Sequence, residues 1–228
     1  LSRLYLYTFD WVNAEKYASL ALASHNILKN YSDAKYKANP QKTKEGDFIN
    51  DEEMIFGRRC SQSMTIHEAI IANDLKNLFE PTDLRYIFFT DVDNEGNTIY
   101  ANLSIQPNSG IYTPELYLIR AEANARLGNI DLAMNDLNTL RENRFEGTPP
   151  ILNVSNAEDA IQKVLEERQR ELMFMGLRWY DMKRLYVLGE YNKTLSRTIR
   201  GETHTLEPGS DKYVIGISPL ILEWNENL

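Results

Sequence analysis

The sequence predicts a mainly α-helical fold in which tetratricopeptide-type helix pairs are interrupted by long loops and a small β-hairpin. Apolar residues recur at spacings of three and four in several segments, which is the period of an amphipathic helix. Two segments carry the small-residue turn of a tetratricopeptide unit, but they lie 119 residues apart, whereas a regular array repeats every ~34 residues. We expect residues 1–228 to form a single domain.

Composition excludes several classes of protein. Hydrophobic residues make up 43% and charged residues 25% of the chain, a balance that is typical of globular domains. The net charge of -8 and the lack of a basic stripe argue against nucleic-acid binding and against binding to an anionic lipid surface. No apolar stretch reaches the ~18 residues of a membrane span. The single cysteine, Cys60, excludes an intramolecular disulfide and is expected to be a buried or half-buried free thiol.

The first element is predicted to be a helix pair over residues 1–28. Its apolar positions follow the helical period: Leu4, Tyr7, Trp11, Ala14, Ala18 and Ala21. Asp10 is a suitable N-cap for a second helix that runs to about Leu28. The chain opens in the middle of this pattern, so we expect further sequence, including any targeting segment, to precede it.

The next hundred residues are predicted to contain loops, a short helix and the hairpin. Residues 29–64 lose the helical period and are expected to form a long loop. Thr65–Glu68 fits a capping box, which predicts a helix that ends near Phe79. Tyr86–Thr90 is predicted to be a strand, with a turn at Asp91–Asn97 and a return strand over Thr98–Ile105.

Three further helices are predicted in the second half of the chain. Thr113-Pro114-Glu115 is a helix start with Thr113 as the cap, and Gly128 is expected to end this helix. Asn129 is the predicted cap of the next helix, and the capping box Ser155–Glu158 opens another that runs to about Met175.

The predicted last helix follows Gly176, carries Trp179, Met182 and Leu185, and extends to Gly189. The final forty residues are predicted to be rich in loops, with a short strand around Val214–Ile217.

The two tetratricopeptide-like turns align with each other. Tyr5–Ala14 matches Asn124–Ala133, with Phe9 opposite Gly128 and Ala14 opposite Ala133. A small residue after the turn lets two antiparallel helices pack closely. Because one helix pair cannot bury its own apolar face, we expect the two pairs to stack on each other.

Four segments together resemble the C-terminal portion of the SusD/RagB family. Thr113–Ala123 resembles the family pattern E-L-Y-L-I-R-A-E-A, and the turn Arg126-Leu127-Gly128 follows it. Glu167–Arg184 is similar to the signature E-R-x-x-E-L-x-F-E-G-x-R-W-x-D-x-x-R, except that Met175 replaces the usual Glu. Asp83–Arg85 resembles the family's D-x-R, and Ile217–Leu228 resembles a worn copy of its closing segment.

The signature residues are expected to hold the scaffold together rather than to touch a ligand: Glu122, Arg168, Glu171, Gly176, Arg178, Trp179, Asp181 and Arg184. Arg168 falls on the apolar stripe of its helix, and an arginine on a core face must be paired. We expect Arg168 and Arg178 to bind carboxylates such as Glu171, Glu122 or Asp181.

Aromatic residues of the long loop are the candidates for contact with a ligand. Tyr31, Tyr36 and Phe48 are the candidates, with packing of the loop onto the scaffold as the alternative role. Asp91–Asn97 has oxygen ligands at alternate positions, but Asn102 stands where a calcium loop has its bidentate Glu, so a solvated hairpin turn is favoured.

The pattern of functional groups does not favour an enzyme. His25, His67 and His204 are scattered, and no nucleophile motif is present, so no catalytic residue, metal or cofactor is expected.

The resemblance implies a non-enzymatic lipoprotein on the extracellular face of the outer membrane, held by a lipid anchor upstream of this chain. It would capture an oligosaccharide or polysaccharide and deliver it to a SusC-like TonB-dependent transporter. Two alternatives stay open: a SusD-like binder of peptides or other nutrients, and a tetratricopeptide-type protein-interaction scaffold.

Overall fold

The computed structural model of the chain describes residues 1–40, 51–57, 64–65, 70–100, 104–105, 110–214, 216, 218 and 223. Contacts within the chain group into two compact units, residues 1–176 and residues 177–228. The single domain over residues 1–228 stays a prediction.

Unit 1 is mainly helical. Its helices are α1 (Ser2–Tyr7), α2 (Trp11–Ser24), α3 (Ala34–Lys37), α4 (Asn73–Lys76), α5 (Leu84–Phe89), α6 (Thr113–Arg126), α7 (Ile130–Glu142) and α8 (Ala157–Glu171). Its strands are β1 (Met54–Phe56), β2 (Met64–Thr65), β3 (Thr90–Val92), β4 (Thr98–Tyr100), β5 (Ser104–Ile105) and β6 (Ile111–Tyr112). The predicted fold class, mainly α with small sheets, is confirmed.

Helix α6 is the centre of unit 1 and packs against α2, α7 and α8. It is buried almost all the way round, which is typical of a core helix. One apolar cluster joins both helix pairs: Leu6, Ala14, Ala18 and Leu22 from α1 and α2, and Leu116, Tyr117, Ile119 and Ala123 from α6. The predicted stacking of the two pairs is therefore confirmed.

The two aligned turns share their backbone conformation. Phe9 has φ 63° and Gly128 has φ 83°, so both residues adopt the left-handed region that reverses the chain between helices. Asp10 caps α2, because its side chain accepts a hydrogen bond from the Asn13 amide at 3.1 Å. The repeat seen in the sequence is therefore a repeat in geometry as well.

Two predicted caps are displaced by one residue. Tyr112 is the N-cap of α6 and Thr113 is its first helical residue, because the Thr113 amide donates to the Glu53 carbonyl at 2.8 Å. Asn156, not Ser155, caps α8 by accepting from the Asp159 amide at 2.8 Å.

The strand predicted at Tyr86–Thr90 is wrong, because this segment lies mostly in helix α5. The Asp83 carboxylate accepts a hydrogen bond from the Arg85 amide at 3.0 Å and starts the helix. Phe88 and Phe89 then lie in a buried aromatic cluster. An apolar run this short has no period that separates helix from strand.

The capping box predicted at Thr65–Glu68 stays a prediction, but the continuous helix predicted from it to Phe79 is wrong, because residues 70–72 are not helical. Thr65 lies in β2, which pairs with β5, and residues 66–69 lie outside the described part of the chain. The helix of this region, α4, begins only at Asn73.

A hairpin is present in this region, but its first strand, Thr90–Val92, lies largely in the predicted turn, while its second strand begins at Thr98 as predicted. Strands β3 and β4 pair antiparallel, with Val92 opposite Thr98 and Thr90 opposite Tyr100. A second ribbon, which the sequence did not indicate, joins β1 to β6, with Met54 opposite Tyr112 and Phe56 opposite Ile111. This ribbon brings the long loop to the start of α6.

Unit 2 contains helix α9 (Arg178–Val187), strands β7 (Leu195–Ile199) and β8 (Glu202–Leu206) and a 3-10 turn (Asp211–Tyr213). The sequence analysis does not predict the β7–β8 hairpin. Its turn residues Arg200 and Gly201 both have positive φ, which is the conformation of a type I′ turn. Of the strand predicted at Val214–Ile217, Val214 is a bend and residues 215 and 217 lie outside the described residues.

Among the helices of the described segments, none has both the length and the apolar character that spanning a bilayer requires.

Replacing Gly128 with Ala is expected to destabilise the protein by about 1 kcal/mol, because a Cβ is strained at positive φ. Gly216, whose φ is not positive, provides the matched control. Urea unfolding should show a lower midpoint for Gly128→Ala and no change for Gly216→Ala. Equal midpoints for both variants would contradict the assignment of the left-handed turn.

Candidate functional site

Unit 1 contains a group of buried, ion-paired side chains, which we call the buried charge network. It consists of Glu53, Asp83, Arg85, Arg141, Arg144, Glu167, Arg170 and Glu171. Its members come from the loop before β1, from α5, from the end of α7 and from α8. Buried charges are tolerated when they are paired, and every member of the network lies within 3.6 Å of an opposite charge.

Arg85 is one centre of the buried charge network. Its Nε and Nη2 donate to the two oxygens of Asp83 at 2.9 and 2.7 Å. Its Nη1 donates to Glu167 at 2.6 Å and to Glu171 at 2.9 Å. One guanidinium therefore ties the start of α5 to two turns of α8.

Arg144 is the second centre. It binds Glu171 at 3.0 Å and Glu53 at 2.7 Å, and its Nη1 donates to the Lys29 carbonyl at 2.7 Å. Its guanidinium also lies 4.2 Å from the centroid of the Tyr31 ring. Arg144 thus anchors the backbone at Lys29 and the side chain of Glu53 to the helical core.

Glu167 accepts from Arg170 at 2.5 Å and faces Arg141 at 3.6 Å, in addition to Arg85. Burial opposes the ionisation of Glu167, but Arg85 and Arg170 overcome it and lower its pKa to about 2. Burial likewise opposes ionisation of Glu171, and Arg144 and Arg85 lower its pKa. Burial raises the pKa of Glu53, in the opposite direction.

The signature residues on α6 and α8 occupy buried positions. Glu122 is paired with Arg126 at 3.0 Å, and Arg168 is almost fully buried. Glu171 binds both Arg85 and Arg144, so it connects the two central arginines of the buried charge network. Gly176 has φ 76°, which suits its place at the interruption after α8.

The other signature residues are placed in unit 2. Asp181 accepts from the Nε of Arg184 at 2.8 Å. The Trp179 ring stacks on Tyr213 with centroids 4.8 Å apart. Arg178 lies 5.5 Å from the Tyr191 ring; burial lowers its pKa, whereas Asp181 acts in the opposite direction. A scaffold role for all eight signature residues stays a prediction that these contacts support.

Sequence reasoning did not single out Glu53 or Arg144 as members of this group. Arg144 ends a polar run after α7 and Glu53 lies in an acidic run, so both have the local signature of solvated charges. Asp83-Leu84-Arg85 resembles a family motif, but its spacing does not indicate that the partners of Arg85 lie on α8, 82 and 86 residues away.

The aromatic candidates for ligand contact are placed differently from one another. Tyr31 is only 4% exposed and packs in the cluster with Phe88 and Phe89. Tyr36 is half-buried, and its hydroxyl donates to Glu52 at 3.2 Å. Phe48 lies outside the described residues. A role in binding stays a prediction for these three residues.

The surface around Tyr36 is polar. Lys35 binds the Glu52 carboxylate at 2.8 Å and lies 4.6 Å from the Tyr36 ring centroid. The His25 ring nitrogen Nε2 is 2.8 Å from the Glu52 carbonyl oxygen. These contacts connect the end of α2 and helix α3 to the segment before β1.

Of the predicted acidic turn at Asp91–Asn97, Asp91 and Val92 lie in β3, and Asp93–Asn97 closes the β3–β4 hairpin. The Asp93 carboxylate accepts from the Glu95 amide at 2.9 Å and from the Asn97 amide at 2.8 Å, so it serves the turn. Within the described ranges, no group of three His, Cys, Asp or Glu side chains could hold a metal ion; Cys60, His67 and Asn102 lie outside those ranges.

The chain is similar to known proteins over both its sequence and its fold. Residues 112–214 match the model of the SusD family. A SusD-like carbohydrate binding protein of Bacteroides vulgatus has a TM-score of 0.67 at 23% identity, over 100% of this chain and 57% of that protein. A SusD superfamily protein of Bacteroides fragilis has a TM-score of 0.70 at 17% identity, over 100% and 54%.

The chain therefore spans little more than half the length of these solved structures. No curated protein matches its sequence. The resemblance to the SusD/RagB family is confirmed by the matched segment and by the shared fold.

Replacing Glu171 with Gln is expected to destabilise the protein by about 3 kcal/mol, because it leaves Arg85 and Arg144 buried without full compensation. Glu166 lies on the same helix and pairs with Lys163 near the surface, so Glu166→Gln should cost less than about 1 kcal/mol. Urea unfolding monitored by circular dichroism provides both values. Similar losses for the two variants would show that the buried charge network is not a stabilising element.

We expect the free energy of unfolding to decrease as the pH is lowered below 4.5, the ordinary pKa of glutamate. The pKa of Glu167 is lowered to about 2 in the folded state, so its contribution is complete above pH 4.5 and is lost as pH falls toward 2. The loss from this one group should be on the order of 3 kcal/mol. Unfolding free energies of the wild type and Glu167→Gln at pH 6, 4 and 3 test this, since the variant should have the flatter pH profile.

Proposed function

We propose, from the premise that residues 112–214 are SusD-family sequence and that the chain has a SusD-like fold, that the protein is a non-enzymatic binder of glycans. It captures an oligosaccharide or polysaccharide at the cell surface and delivers it to a SusC-like TonB-dependent transporter. Its place is the extracellular face of the outer membrane, where an upstream lipid anchor holds it.

The likeness of the chain to solved SusD-like proteins is the observation that carries this proposal. One of those proteins is described as a SusD-like carbohydrate binding protein. The likeness extends over the whole chain and includes the central helix α6, which lies within the family segment. The proposal transfers the function of such proteins to this chain.

The buried charge network supports binding rather than catalysis. A general acid or base needs a pKa near the working pH. The pKa of Glu167 is instead lowered to about 2 by the buried arginines Arg85 and Arg170 that pair with it. Glu171 is likewise held between Arg85 and Arg144. These carboxylates stabilise the scaffold, and the ligand is bound by surface groups that the scaffold positions.

Native affinity electrophoresis of the full-length protein tests the proposal. The protein migrates through gels that contain a panel of polysaccharides, beside a non-binding protein of similar charge. Retardation by one polysaccharide would support glycan capture and identify the ligand class. Unchanged migration in every gel would contradict glycan capture and favour the alternatives, a SusD-like binder of peptides or other nutrients or a tetratricopeptide-type scaffold.

A further inference from the structure

Phe56 differs from the other phenylalanines in its exposure. Its side chain on β1 is 58% exposed. The other phenylalanines of the described segments are buried or half-buried: Phe9, Phe79, Phe88, Phe89, Phe145 and Phe174. Full burial of a phenylalanine contributes about 1.5–3 kcal/mol, so Phe56 contributes less to the folding of unit 1 than the buried phenylalanines do.

The backbone that carries Phe56 is firmly held. Three residues earlier, Glu53 binds Arg144 at 2.7 Å and accepts from the Lys29 amide at 2.9 Å. The Glu53 carbonyl accepts from the Thr113 amide at 2.8 Å. Pairing of β1 with β6 then places Phe56 opposite Ile111. The exposed ring is therefore presented on a ribbon whose base is fixed in the helical core.

A hydrogen-bond donor lies at the same end of the ribbon. Arg3 donates from Nη2 to the carbonyl of Gly110 at 2.7 Å, next to the residue opposite Phe56. It also binds the buried Glu115 through Nε at 2.6 Å and Nη2 at 2.5 Å. Among the contacts of the described residues, its Nη1 donates no hydrogen bond, and the Arg3 side chain is 23% exposed.

We propose that Phe56 and Arg3 form a sugar-binding subsite, an assignment that rests on the proposed function. The Phe56 ring stacks on the apolar C–H face of a pyranose, and the free N–H of Arg3 donates to a hydroxyl group of the bound glycan. Because Glu115 already neutralises Arg3, the pair offers a donor without net charge. The subsite therefore suits a neutral sugar better than a uronic acid.

The size of the surface favours a sugar over a protein partner. A stable protein interface buries about 800 Å² on each partner, whereas this subsite is built from two exposed groups, the Phe56 ring and the Arg3 guanidinium. A single pinned ring matches the area of one sugar ring. A protein surface that docks on Phe56 is the competing occupant, and the experiment separates the two.

Affinity electrophoresis of the full-length protein with Phe56 variants tests the subsite. Phe56→Ala and Phe56→Leu should weaken binding to a neutral polysaccharide about tenfold, the size of an effect expected for an anchoring aromatic. Phe56→Trp should retain binding, because it keeps an aromatic face. Tyr180→Ala in unit 2 removes another exposed aromatic, 55% exposed, and should bind as the wild type does. Thermal unfolding of each variant should match the wild type.

The outcomes separate the subsite from the proposed function. Retardation of the wild type and of Phe56→Ala to the same degree would overturn the subsite and leave glycan capture standing. A wild type that binds no polysaccharide would overturn both. Tighter retention in polygalacturonate than in neutral glucans, mannans and xylans would overturn the neutral-sugar assignment. Loss of transporter binding by Phe56→Ala, with glycan binding unchanged, would assign the residue to a protein interface.

Discussion

Neutralising the buried arginines is the constraint on which unit 1 depends. Arg85 and Arg144 are buried and remain charged, so each needs carboxylates within hydrogen-bond distance. Those carboxylates come from segments far apart in the sequence: the Glu53–Arg144 pair spans 91 residues and the Arg85–Glu171 pair spans 86. The charges can be satisfied only when α5, α8, the end of α7 and the loop before β1 are in place together.

This constraint explains how a long loop acquires a defined geometry. In the described residues 29–40 and 51–57, regular structure is limited to α3, which has four residues, and β1, which has three. These two segments are held by contacts to Arg144, through the Lys29 carbonyl in the first and Glu53 in the second. Ion pairs in the core therefore determine where the exposed residues of the loop, including Phe56, are presented.

Local patterns predicted the helices well and the long-range contacts poorly. Asp10, Gly128 and the period of α6 act within one or two turns of helix, so the sequence reports them directly. Glu53 and Arg144 depend on partners that only the folded chain brings near, and no local pattern distinguishes them from solvated charges. Short apolar runs are ambiguous for the same reason: Phe88 and Phe89 lie in a helix because Asp83 caps it and Tyr31 packs against them.

The exposure of Phe56 could not be predicted from the sequence either, since all three residues of its strand are apolar.

The ionic character of this core favours specificity over stability. An apolar core of the same volume is often as stable as one with buried ion pairs, but apolar contacts tolerate many arrangements, whereas a guanidinium demands carboxylates at defined distances and angles. Arg85 meets this demand with a two-pronged contact to Asp83 and further bonds to α8. We infer that the network selects one placement of the loop on the helices. A binding surface made of loop residues needs that selection, because a ring that stacks on a ligand contributes only when its position is fixed beforehand.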